Sequence, residues 1–86
     1  MQYQLVAKGD GERVVNLLRE YTPALHGVGW ALVGSPQPLS YGESKIVINF
    51  EGVDRETVEI VLNGMIVNGV RQPPYPDGTL LHWTRL

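Results

Sequence analysis

Cysteine is absent from the 86 residues, which excludes a disulfide framework, a thiolate zinc site and a cysteine nucleophile. Long apolar runs are also missing, so we find no segment able to span a bilayer. The first residues lack the basic and apolar regions of a secretory signal, and this favours a cytoplasmic protein. The two histidines lie far apart and the acidic residues are scattered, so we predict neither a metal site nor a bound cofactor.

Neither sign of charge dominates the chain. Seven Lys and Arg residues stand against nine Asp and Glu residues, for a net charge of −2. Such a chain lacks the basic surface that binds nucleic acid or an anionic membrane. The segment 45–51 (KIVINFE) also lacks the aromatic and basic run of RNA-recognition domains. We therefore disfavour nucleic acid as a partner and expect no membrane contact.

The stretch 54–70 carries the signals of a complete helix. Asp54 can cap the free N–H groups at its start, and Asn68 with Gly69 supplies a stop. Apolar side chains recur between these signals at helical spacing: Val58, Val61, Leu62, Met65 and Ile66. We predict one long helix whose apolar face covers a sheet.

The remaining segments predict one more helix and four strands. The helix is expected over 10–21, and the strands are expected over 1–8, 28–33, 45–51 and 79–86. Prolines mark 34–44 and 71–78 as connections. The order strand, helix, strand, strand, helix, strand favours one α+β domain over 1–86. The specific prediction is a ferredoxin-like βαββαβ sandwich, a four-stranded antiparallel sheet with both helices on one face.

Alternation in two of these strands predicts a covered face and an open face. Tyr3, Leu5, Ile46, Ile48 and Phe50 are expected under the helices. The opposite face is then polar but weakly charged. In 79–86 both alternate sets contain large apolar residues, so one set is expected to point outward. This surplus of apolar surface predicts a homo-oligomer, since unpaired apolar strand surface is a liability.

The function that fits this surplus best is a small non-catalytic protein-interaction module. It is expected to associate with itself, or with a protein partner, through the open sheet face and the last strand. Leu81, Trp83 and Arg85 are the predicted interaction residues, because Trp and Arg dominate binding hot spots.

The alternative is a small-molecule-binding protein or enzyme of the dimeric α+β sandwich type, with a pocket between sheet and helices. Tyr41, Arg71 and His82 are the candidate pocket residues, with His82 or Tyr41 as acid or base and Arg71 holding an anion. Whether the chain is an enzyme stays open at this point.

A glycine-rich turn at residues 9–11 (GDG) lies between a predicted strand and a predicted helix. Such a turn can hold a phosphate at a helix N-terminus. The dinucleotide fingerprint requires a third glycine where this chain has Val14, and Asp10 would repel an anion. We therefore predict that Asp10 caps the helix and that the glycines form the turn.

Overall fold

The computed structural model describes residues 1–20, 29–69 and 77–86. Within these ranges the elements are β1 (Gln2–Lys8), α1 (Gly11–Glu20), β2 (Gly29–Leu32), β3 (Gln37–Pro38), β4 (Glu43–Glu51), α2 (Arg55–Gly69) and β5 (Leu80–Arg85). The predicted α+β class is confirmed. The predicted ends at 21 and 28, together with Arg71 and most of the proline-rich connection, lie outside the described residues.

The sheet is open and antiparallel, and within the described residues it has five strands rather than the predicted four. Its order is β2-β4-β1-β5, and β3 pairs separately with the start of β4. β3 lies in the segment 34–44, which the prolines predict to be a loop or a long hairpin tip. Gln37 and Pro38 face Lys45 and Ser44 across this pair. Two residues are too few to show an alternating pattern, so the sequence carries no signal for this strand.

One face of the sheet carries the core. The predicted inward residues Tyr3, Leu5, Ile46, Ile48 and Phe50 are all buried, as predicted. They share one apolar cluster with side chains from both helices: Val14 and Leu18 from α1, and Val58, Leu62 and Met65 from α2. Both helices therefore cover the same face, and the other face is left open.

Aspartate caps begin both helices, as predicted. The Arg13 N–H donates to Asp10 Oδ1 at 2.9 Å, and the Thr57 N–H donates to Asp54 Oδ1 at 2.7 Å. These bonds satisfy donors that lack a partner inside the helix. The hydrogen bonds from Thr57 also hold the pKa of Asp54 below its usual value.

Candidate interaction site at the last strand

A bulge in β5 decides which of its side chains lie on the helix side. The register with β1 is regular over 82–85 and then shifts, so that Leu80 stands opposite Ala7. Leu81 is the extra residue at this shift. Because residues directly opposite each other share a face, Leu80 and Trp83 lie on the same side as the buried Ala7. The bulge thereby removes the conflict between the two apolar sets predicted for this strand.

Trp83 is fixed on the helix side by contacts in several directions. Its indole N–H donates to Asn63 Oδ1 on α2 at 2.8 Å. Its ring meets the Tyr3 ring edge to face, with ring centres 5.7 Å apart, and the Arg85 guanidinium carbon lies 6.0 Å from the centre of the indole. The half-buried indole is thus held at the margin of the core, with little freedom to rotate.

Glu59 on α2 bonds to both Tyr3 and Arg85, and so links the Tyr3–Trp83 ring pair to the arginine. It accepts a hydrogen bond from the Tyr3 hydroxyl at 2.8 Å and forms an ion pair with Arg85 through both of its oxygens. The hydrogen bonds from Arg85 hold the pKa of Glu59 below its usual value, and those bonds raise the pKa of Arg85. Burial, followed by the hydrogen bond to Glu59, raises the pKa of Tyr3. These directions match the geometry: the hydrogen bonds favour the charged forms of Glu59 and Arg85 and the neutral form of Tyr3.

The backbone of β5 presents an outer edge. The Leu86 N–H donates to the Gln2 carbonyl at 3.0 Å. Backbone groups alternate in direction along an antiparallel strand, so those of the even-numbered residues over 82–86 face β1. Those of Trp83 and Arg85 point away from the sheet. Within the described ranges no strand pairs with this side of β5.

The three predicted interaction residues therefore occupy different positions. Leu81 is half-buried at the bulge, and Trp83 is half-buried against α2. Arg85 is exposed and reaches across the helix side to Glu59. None of the three belongs to the regular part of the open face, but all three lie on the edge strand.

Of the three predicted pocket residues, the structure describes His82 and Tyr41. His82 is exposed on the open face, opposite Val6. Tyr41 is 87 % exposed in a turn before β4, where its carbonyl accepts a hydrogen bond from Lys8 Nζ at 2.6 Å. No hydrogen bond joins Tyr41 to His82 in the described part of the chain, and Arg71 lies outside it.

Shallow grooves occur elsewhere on the surface. One of about 250 Å³ is lined by Gly29, Trp30, Ala31, Asn49 and Glu51 at the ends of β2 and β4. A second, of about 260 Å³, lies between the turn after β1 and the start of β4. Among residues 1–20, 29–69 and 77–86, no group of three or more His, Asp or Glu side chains is placed to hold a metal ion. No helix in those ranges is long and apolar enough to cross a membrane.

Two residues of the cluster, Glu59 and Asn63, were missed by the sequence reasoning. They lie four residues apart and therefore on one face of α2. Their partners are 26 and 20 residues further along the chain. The polar face of the helix was visible in the sequence, but no local pattern identifies which strand that face meets.

Comparison of this chain with protein families, with curated proteins and with solved structures finds no significant match.

Proposed function

We propose that this protein is a small non-catalytic interaction module that associates with a second copy of itself along the outer edge of β5. The observation that carries the proposal is the row of backbone N–H and C=O groups of Trp83 and Arg85 that points away from the sheet. An edge of this kind is a template for pairing with another strand.

The proposal includes the ferredoxin-like arrangement predicted from the element order. The order β2-β4-β1-β5 of the four longer strands and the single helix-covered face support it. In this arrangement β5 is an edge strand. A second copy can then extend the sheet without disturbing the core.

Rigidity of the edge also supports the proposal. Trp83 and Arg85 are bonded to Asn63 and Glu59 on α2, so the strand is ordered before any partner arrives. A contact between ordered surfaces loses less conformational entropy on binding than one that must first be ordered. The edge is short, and we expect a weak dimer whose mass depends on concentration.

The test is the solution mass by sedimentation over a wide range of concentrations, for the wild type, Arg85→Ala and Arg85→Pro. Both substitutions remove the ion pair with Glu59. Only proline removes the outward N–H of residue 85, and an edge strand tolerates proline where the N–H faces solvent. We expect the wild type and Arg85→Ala to dimerise and Arg85→Pro to remain a folded monomer by circular dichroism.

A wild type that is monomeric at every concentration would overturn the proposal without any variant. So would an Arg85→Pro variant that dimerises as well as Arg85→Ala. Should Arg85→Pro fail to fold, Thr84→Asp provides a second test. Thr84 is exposed and its own backbone groups face β1, so the substitution leaves the intramolecular ladder intact and places a negative charge on the edge strand of both copies.

A further inference from the structure

We infer that the two copies pair antiparallel in one specific register, with Thr84 of each copy on the two-fold axis and Trp83 of one copy opposite Arg85 of the other. This inference rests on the proposed function and specifies its geometry. It follows from the direction of the backbone groups, the position of the bulge and the chemistry of the two side chains.

The direction of the backbone groups limits the registers. Trp83 and Arg85 point their N–H and C=O groups outward, whereas the groups of Thr84 are used by β1. Two identical edges can bond only where outward groups meet outward groups. An antiparallel pair therefore has Thr84, Trp83 or Arg85 on the two-fold axis. If the axis lay between two residues, the outward N–H and C=O groups of one copy would face residues whose groups are already bonded to β1.

The bulge favours the register centred on Thr84. In that register the hydrogen bonds form two reciprocal Trp83–Arg85 pairs, which lie wholly within the regular part of β5. Centring on Trp83 instead requires Leu81 to bond with Arg85 of the other copy. Leu81 is the extra residue of the bulge, where the ladder is locally disrupted.

Side chains favour the same register. Directly opposed residues share a face, so each indole would lie beside the guanidinium of the other copy. An arginine above an indole is attracted by the negative face of the ring. Within one copy the Arg85 guanidinium carbon already lies 6.0 Å from the centre of the Trp83 ring. The Trp83-centred register would instead place the two indoles opposite each other and Arg85 opposite an aliphatic side chain.

The chain has no cysteine, so a single introduced thiol reports its own surroundings. In the proposed register the two Thr84 residues form a non-hydrogen-bonded pair with Cα atoms about 4.5 Å apart. That separation lies within the range that a disulfide spans. The two His82 residues would be about 13 Å apart, because each lies four residues along the strand from its counterpart. His82→Cys is therefore a matched control on the same strand and the same exposed face.

The experiment is disulfide formation at equilibrium in a glutathione buffer, followed on non-reducing gels, for Thr84→Cys, His82→Cys and an equal mixture of the two. We expect Thr84→Cys to form covalent dimers and His82→Cys to form few. In the Trp83-centred register Thr84 would stand opposite His82, and the mixed species would dominate instead.

The outcomes separate the register from the function. Concentration-dependent dimers of the wild type without preferential Thr84→Cys cross-linking would overturn the register and leave the edge proposal standing. A wild type that stays monomeric, with equally weak cross-linking in all samples, would overturn both. Preferential Thr84→Cys dimers, lost when Arg85→Pro is added to the same chain, would support both.

Discussion

At its Tyr3 end β1 adds a linked group of side-chain bonds to its backbone pairing, whereas at its Lys8 end the chain makes close backbone contacts with two neighbouring segments. The first end contacts β5 and α2 through the Tyr3 hydroxyl, Glu59 and Arg85. Each of these bonds depends on the chemical identity of the residue that makes it. A substitution of one of these residues therefore changes charge and hydrogen bonding without requiring the backbone to move.

Backbone groups dominate at the other end. The Lys8 N–H donates to the Thr79 carbonyl at 2.8 Å, and the Gly9 N–H donates to the Gly42 carbonyl at 2.8 Å. Gly9 has a φ of +102°, and a Cβ there would lie 2.9 Å from the Gly78 nitrogen. Any residue except proline supplies these backbone groups, but only glycine lets the chains approach this closely. The Tyr3 end therefore depends on particular polar side chains, whereas the Lys8 end depends on a glycine that has no side chain.

The largest expected effect comes from Gly11→Ala, which adds a methyl group at the backbone end. The new Cβ would lie 2.0 Å from the Pro36 Cβ, well inside van der Waals contact. The segment before β3 must then move away from the start of α1, and we expect a loss of about 1–3 kcal/mol in the free energy of unfolding. Urea denaturation followed by circular dichroism measures the loss.

Gly29→Ala is the matched control for that measurement. Among the described residues, a Cβ at Gly29 meets no heavy atom within 4 Å. The same change in side chain should therefore cause no loss at Gly29, and it should raise the free energy of unfolding slightly because alanine reduces the freedom of the unfolded chain. Equal losses in the two variants would show that the contact with Pro36 does not explain the effect at Gly11.

Some contacts at the two ends of β1 have a local signal in the sequence, and others do not. The Asp10 cap and the turn glycines have local signals in the sequence, and these signals predict both features. The contact of Gly11 with Pro36 joins residues 25 positions apart and has no such signal. The Glu59–Arg85 pair is likewise distant in sequence, and the bulge at Leu81 changes which side chains share a face. Local periodicity thus predicted the elements and the core face, while the site depends on how the elements meet.

The next largest effect is a loss of stability at low pH. It tests the Tyr3 end of β1, because Glu59 at that end titrates in acid. Hydrogen bonds from Arg85 lower the pKa of Glu59 in the folded protein from its ordinary value of 4.5. The unfolded chain therefore takes up a proton more readily. The stabilisation from this pair is present above about pH 4.5 and is lost as the pH falls through the folded pKa. We expect Glu59→Gln to flatten the fall in melting temperature below pH 4.5.

Asp54 provides the comparison for that pH profile, because its pKa is lowered by Thr57 at the start of α2, without Arg85. Asp54→Asn should flatten the acid profile by itself, and the double variant should flatten it further. An unchanged profile in Glu59→Gln would mean that the ion pair with Arg85 contributes nothing measurable in solution. Gly11→Ala should lower the melting temperature by a similar amount at every pH, since no titrating group is involved.

The smallest effect is expected at Gly64, which lies in the middle of α2 and takes no part in the contacts at either end of β1. A Cβ at this position meets no heavy atom within 4 Å in the part of the chain that the structure describes, and its φ is not in the left-handed region. Alanine reduces the conformational freedom of the unfolded chain and favours the helix, so Gly64→Ala should raise the free energy of unfolding by about 0.5–1 kcal/mol. The measurement is urea denaturation at a concentration where the chain is monomeric. A loss of stability would show that the space above Gly64 is filled in solution, and a gain would show that this glycine, unlike Gly11, serves no contact within the folded monomer.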